Sequence, residues 1–187
     1  MYDWIISDTH FNHVNIVEYA GRPINHNELM QQSWRKLVQP EDTVLHLGDV
    51  LMGRQDLWPN MPGWLPGKIS ILTTGNHDEP HKKRWLQAKG WNLVPEFSIE
   101  YRDWTIYFTH YPLWVAYPNP NENTEVELGP YFHEDLDGQK FLNIHGHIHE
   151  KPAPSEYHIN VSVEKINYQP VNLKMLLDAR INLLEKI

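Results

Sequence analysis

Tyr2-Asp3-Trp4-Ile5-Ile6-Ser7-Asp8-Thr9-His10 is the stretch whose reading decides the fold. Residues 2–6 form a short, mostly apolar run with the length of a buried strand. The run stops abruptly in Ser7-Asp8-Thr9-His10, where the side chains become polar. In Asp8-x-His10 both side chains leave the strand end on one face, because residues two apart in a strand point the same way. The same form then recurs along the chain. Residues 43–47 run into Gly48-Asp49, and residues 69–73 into Thr74-Gly75-Asn76-His77-Asp78. Residues 105–108 run into Thr109-His110, and residues 141–144 into His145-Gly146-His147-Ile148-His149. In α/β sheets, ligands bind beyond the carboxyl ends of strands. Five consecutive strand ends rich in Asp, Asn and His therefore point at one shared site. Glycines 48, 75 and 146 allow a sharp turn or a close backbone approach beside it.

Around these runs the pattern is that of an α/β domain with more than one sheet. Further strands are expected at 94–101 and 159–163. Leu29, Met30, Trp34 and Leu37 share a helical face, with Asn25 and Glu28 as a capping start. Residues 81–89 make a shorter helix. Leu173, Leu176, Leu177, Ile181 and Leu184 lie at near-helical spacing, with Asn172 as N-cap. One domain over residues 1–187 is expected. Residues 117–138, rich in Pro, Asn and Glu, read either as a substrate-side loop or as a solvated insertion.

Composition bounds the function. The 187 residues carry 16 basic and 24 acidic side chains, a formal charge of −8, which argues against nucleic acid as a partner. There is no cysteine, hence no thiolate metal site and no disulfide. No apolar window approaches the roughly 18 residues of a membrane span, and no secretory signal opens the chain. A soluble, cytoplasmic protein is expected. The 12 histidines are informative because so many fall at the polar strand ends.

Taken in order, the five motifs from Asp8 to His149 resemble the signature of the calcineurin-like metallophosphoesterases. Residues 159–173 resemble the closing strands of the smaller members. Ser7-Asp8-Thr9-His10-Phe11-Asn12-His13-Val14-Asn15-Ile16 is similar to a compact subgroup seen in bacteria and phages. The resemblance implies a four-layer α-β-β-α sandwich of two mixed sheets with the site at its top. It implies that Asp8, His10 and His149 hold one metal, that Asn76, His110 and His147 hold the other, and that Asp49 bridges both. His77 would contact the phosphate and protonate the leaving oxygen. Carboxylate, imidazole and amide donors without thiolate suit Mn²⁺ first, with Fe, Zn²⁺ or Ni²⁺ as alternatives. Two divalent ions bring about four positive charges and the two aspartates offset two of them, leaving about two for a hydroxide and a phosphate ester. Catalysis would be in-line attack of a metal-bound hydroxide.

On the substrate side, Asn76, His77, His13 and Arg54 are the candidates, with Asn15 and Arg22 as further ones. Asp78 either orients His77 or a neighbouring backbone group, or caps the following helix. The protein phosphatases carry Gly-Asp-x-x-Asp-Arg-Gly, whereas this chain reads Gly48-Asp49-Val50-Leu51-Met52-Gly53-Arg54. Met52 and Gly53 stand where the second aspartate and the arginine would be. A phosphodiester carries one negative charge and needs fewer basic clamps than a monoester dianion. The expectation is a small phosphodiester substrate of nucleotide type. A phosphomonoesterase or nucleotide pyrophosphatase is the alternative; a nuclease and a non-catalytic scaffold come after it.

Overall fold

The computed structural model describes residues 1–53, 58, 65–113 and 140–186; Arg54 and the 117–138 segment lie outside them. Two mixed sheets face each other. In the first, β1 (Trp4–Ile6), β2 (Thr43–His46), β3 (Lys68–Leu72) and β4 (Asn92–Val94) run parallel, and β9 (Val171–Asn172) pairs antiparallel with β1, giving the order β4-β3-β2-β1-β9. In the second, β5 (Phe97–Tyr101) pairs antiparallel with β6 (Trp104–Phe108), and β7 (Phe141–His145) and β8 (His158–Asn160) follow in parallel. The four helices described are α1 (Ile16–Tyr19), α2 (His26–Leu37), α3 (Pro80–Ala88) and α4 (Leu173–Leu184). None is long and apolar enough to cross a membrane.

Side-chain alternation explains why the central strands of the first sheet carry apolar residues at both phases of the pleat. Ile6, Val44, Ile69 and Ile71 face one core cluster with Met30 and Trp34 of α2 and Leu86 of α3. Ile5, Leu45 and Leu72 face the other cluster, against Ile106, Phe108, Leu142 and Ile144 of the second sheet. A sheet covered on both faces needs apolar residues at both phases of the pleat. Leu173, Leu177 and Ile181 of α4 enter that second cluster. Asn172 caps α4 as expected, accepting from the Met175 N–H at 3.0 Å.

Three local expectations are corrected. Asn25 makes no side-chain cap to α2, because its φ of −98° and ψ of 24° depart from the extended backbone a cap needs. The 94–101 run divides: Val94 closes β4 in one sheet and Phe97 opens β5 in the other, with Pro95 between them lacking the N–H a continuous ladder requires. The 159–163 run also divides, since β8 ends at Asn160. Beyond it the chain crosses between the sheets. The Val161 N–H donates to the His145 carbonyl at 2.8 Å, and Val161 accepts from the Ser7 N–H at 3.0 Å. Ser7 and Ser162 form a parallel bridge. This crossing joins the end of β1 to the end of β7.

His46, fully buried at the end of β2, braces the first polar turn. Its Nδ1 accepts from the Gly48 N–H at 3.1 Å, so Nε2 carries the proton and donates to Thr9 Oγ1 at 3.0 Å. Thr9 in turn donates to the Val50 carbonyl at 2.8 Å. Burial pushes the His46 pKa down from 6.5 to about 3. A base whose folded pKa is depressed contributes stability above its unfolded value and loses it as pH falls below that value. At about pH 5 the unfolded chain protonates this histidine and the folded chain does not, a difference of about 2 kcal/mol. In metal-free protein, the loss of unfolding free energy between about pH 7 and pH 5 should therefore shrink by about 2 kcal/mol in His46→Gln. Urea denaturation at the two pH values measures it; an unchanged loss would exclude His46 as a source of acid sensitivity.

Candidate metal centre

The polar strand ends converge where the two sheets meet. Several of their residues occupy the left-handed region: Asp8 (φ 55°), His10 (43°), Asp49 (59°), His147 (69°) and His149 (51°). For residues bearing a Cβ this conformation costs energy and persists only where its surroundings impose it. Here the neighbouring strand end does so. The Asp8 N–H donates to the Gly48 carbonyl at 3.1 Å, the His10 N–H to Asp49 at 3.0 Å, and the Phe11 N–H to Val50 at 2.9 Å. Close approach explains two of the glycines. A Cβ on Gly75 would lie 2.6 Å from the Asp49 nitrogen, and one on Gly146 would collide with the side chains of Ser7 and Asp8.

The structure brings together all seven expected ligands. Ligand atoms of Asp8, His10 and His149 lie within 4.8 Å of one another, as do those of Asp49, His110 and His147. Asp49 stands between the groups, with Oδ2 3.5 Å from His10 Nε2 and 3.6 Å from His110 Nε2. Asn76 Oδ1 lies 3.0 Å from His110 Nε2 and 3.1 Å from His147 Nδ1. At the rim, the His77 ring is 5.3 Å and the His13 ring 5.6 Å from that of His10, centroid to centroid. The His77 N–H donates to Asp49 Oδ1 at 2.8 Å.

The chemistry of this donor set fits two cations. Asp8 Oδ2 accepts from the His147 N–H at 2.8 Å and from Ser162 Oγ at 3.0 Å, while Oδ1 is buried without a hydrogen-bond partner. Both ring nitrogens of His10 are likewise buried without one. His110 Nδ1 lies 3.0 Å from the Leu47 carbonyl and must donate to it. Nε2 is then the nitrogen that faces Asn76 Oδ1 and Asp49 Oδ2, and without a proton its lone pair would set acceptor against acceptor. Buried acceptors without donors are costly; a divalent cation between them resolves the conflict. Burial, followed by repulsion from His110, pushes His147 down to about 4, which keeps it in the neutral, ligating form. Burial also lowers His10 and pushes Asp49 up to about 7. A second buried carboxylate resists ionisation there unless a cation is supplied.

Other candidates fall elsewhere. Arg22 is not a phosphate contact: it is 2% exposed and its guanidinium donates to the Asp8 carbonyl at 2.6 Å, the Thr9 carbonyl at 2.8 Å and Glu164 at 2.7 Å. Asp78 does not cap α3, whose N-cap is Glu79. It accepts instead from the backbone of Asp49 at 2.5 Å and of Val50 at 3.1 Å. Asn15 is the exposed residue that opens α1. Two supporting residues carry no motif of their own in the sequence. Lys82 is 5% exposed and donates to the His77 carbonyl at 2.8 Å. Glu164 Oε1 lies 3.0 Å from His149 Nδ1. A signal for Glu164 does exist, since it follows the 159–163 run as the other site residues follow theirs.

Known proteins share this framework. A protein of unknown function from Aquifex aeolicus has a crystal structure that superposes with a TM-score of 0.68 at 25% identity, covering 94% of this chain and 97% of that one. An uncharacterised protein of Methanocaldococcus jannaschii is 29% identical over 181 residues, 93% of this chain and 88% of that protein. The gene 66 protein of Mycobacterium phage L5 is 32% identical over 167 residues, 78% of this chain and 76% of its own length. The calcineurin-like phosphoesterase family model matches residues 4–178, a span that takes in both sheets and every strand end of the centre. With that match and that fold, the chain belongs to the calcineurin-like phosphoesterases, a family of metal-dependent phosphoric ester hydrolases.

Proposed function

We propose that this chain hydrolyses small phosphodiesters, with nucleotides as the substrate class, on two divalent ions. Mn²⁺ is the first choice and Fe, Zn²⁺ or Ni²⁺ the alternatives. The observation that carries the reading is the pair of largely buried carboxylate and imidazole clusters on either side of Asp49. Asp8 Oδ1, His10 and His149 would hold one ion; Asn76 Oδ1, His110 Nε2 and His147 the other; Asp49 Oδ2 would serve both. Ions held there would lower the pKa of a bound water and favour in-line displacement at phosphorus.

The chain's own groups do the rest. His77 is fixed through its backbone on both sides, by Asp49 Oδ1 and by Lys82. Its ring is free at the rim to protonate the leaving oxygen. His13 and Asn76 lie beside it as substrate contacts. Charge favours the diester. About two positive charges remain after the aspartates are counted, which one attacking anion and one monoanionic ester neutralise. The buried cations Arg22 and Lys82 are both committed to backbone carbonyls, so neither is available to a second phosphate charge. A cytoplasmic setting is part of the proposal, and a cysteine-free centre suits it.

Bis-p-nitrophenyl phosphate should turn over faster than p-nitrophenyl phosphate with Mn²⁺, and EDTA should abolish both. Preference for the monoester would overturn the diester reading while leaving the metal centre standing. Separate variants test the roles. Asp49→Asn should weaken binding at both clusters in a metal titration. His77→Ala should keep its metal while kcat falls about 10²–10⁴-fold, the usual contribution of a general acid. Full activity in either variant would sink the role assigned to that residue.

A further inference from the structure

We propose that Glu164 is an outer carboxylate of the Asp8–His10–His149 cluster, which fixes through His149 which imidazole nitrogen faces the ion and sets how tightly that cluster alone holds it. The proposal rests on the reading of the two clusters as metal sites. It concerns a residue outside the ligand set, on the segment that crosses between the sheets.

The geometry is that of a built support. Glu164 Oε1 is 3.0 Å from His149 Nδ1, and the Glu164 side chain is 4% exposed. An ionised carboxylate only accepts, so Nδ1 must donate, which leaves Nε2 as the lone pair for a metal. The same oxygen accepts from Arg22 Nε at 2.7 Å and forms an ion pair with Nη2, also at 2.7 Å. Arg22 then reaches on to the backbone carbonyls of Asp8 and Thr9. One network of hydrogen bonds therefore runs from the strained turn carrying Asp8 to the ring of His149. Two ligands of one cluster are held in mutual position by a single buried ion pair.

The other cluster is supported differently. There the Nδ1 of His110 meets the Leu47 backbone carbonyl, a neutral acceptor, at 3.0 Å. Among the described residues, every hydrogen bond of the Arg22 and Glu164 side chains ends within the pair itself, on the Asp8–Thr9 backbone or on His149. A carboxylate behind a ligating imidazole raises its basicity and fixes its orientation, and removing such a partner typically weakens metal binding 10–100-fold. The two clusters should thus respond unequally to the loss of Glu164. A purely structural ion pair would leave open which nitrogen of His149 carries the proton.

Metal-free wild type and Glu164→Gln should be titrated with Mn²⁺ by calorimetry, alone and in His147→Ala and His10→Ala backgrounds. Wild type is expected to take up two ions. Glu164→Gln should weaken one site about 10–100-fold and leave the other unchanged. The weakening should persist with His147→Ala, which spares the first cluster, and vanish with His10→Ala, which removes it. Equal weakening of both sites, or none, in a wild type that binds two ions would overturn this inference alone. A wild type that binds no divalent ion would overturn it together with the metal centre. Glu164→Gln leaves Arg22 buried without its counter-charge, which can prevent folding. Wild type therefore supplies a second measurement. In Zn²⁺-loaded protein, nitrogen-15 histidine spectra should show His149 with a proton on Nδ1 and none on Nε2. A proton on Nε2 would overturn the proposal.

Discussion

The constraint on which the structure depends is the crowding of buried hydrogen-bond acceptors. Asp8 and Asp49 are almost entirely shielded from water, and two imidazole edges, those of His10 and His110, stand against them. An uncompensated carboxylate in such a place costs several kcal/mol and normally neutralises itself. The local architecture nevertheless enforces the crowding. Backbone bonds between strand ends hold residues in left-handed conformations, and glycine at 75 and 146 lets neighbouring turns close to contact. The fold thus holds its acceptors in positions that a divalent cation would make favourable. This is preorganisation, with part of the stability of the sandwich offsetting the strain at its end.

The two sheets contribute unequally. Three parallel strands of the first sheet, β1, β2 and β3, end in Asp8, Asp49 and Asn76. The second sheet supplies only imidazoles, from the ends of β6 and β7. All the negative charge therefore comes from one sheet and the lone pairs on the opposite side are neutral. The crossing at Val161–Ser162 makes this division workable. It ties the end of β1 to that of β7, puts Ser162 on Asp8, and carries Glu164 to His149. With the contacts of His110 to Leu47 and of His147 to Asp8, that segment adds directional bonds to apolar packing, which fixes separation better than it fixes the position of one carboxylate oxygen.

The legibility of the sequence follows from this physics. Strands buried on both faces are short apolar runs, and their polar ends are conspicuous, so which residues meet at the candidate centre is legible in the order of residues alone. Local signals that depend on one backbone angle are less readable. Asn25 has the composition of a cap without its geometry, and an apolar run such as 94–101 does not reveal which sheet each half will join. Arg22 has the look of a free cation because burial is invisible in a local window; its partners come from residues 8, 9 and 164. Glu164 lies beyond the motifs, and its role exists only once the chain crosses between the sheets.

The histidines show how one residue type is divided by environment. In the centre, His110 and His149 are held in place through Nδ1, by Leu47 and by Glu164, which leaves Nε2 to face the other residues of their clusters. His46 is fully buried, with Nε2 on Thr9 of the turn that carries Asp8 and His10 and Nδ1 accepting from Gly48 of the turn that carries Asp49. His145 and His158 lie within the second sheet, where burial keeps both below the ordinary imidazole range. His13 and His77 stand at the rim with their rings near His10. Imidazole suits all of these tasks because its two nitrogens can have opposite roles, one donor and one acceptor. A carboxylate in the place of His46 would bring a further charge to an already negative centre, and an amide would present a different hydrogen-bonding edge. The abundance of histidine in this chain therefore reflects ligation and bracing together: the residues behind the ligands need the same two-sided hydrogen bonding as the ligands themselves.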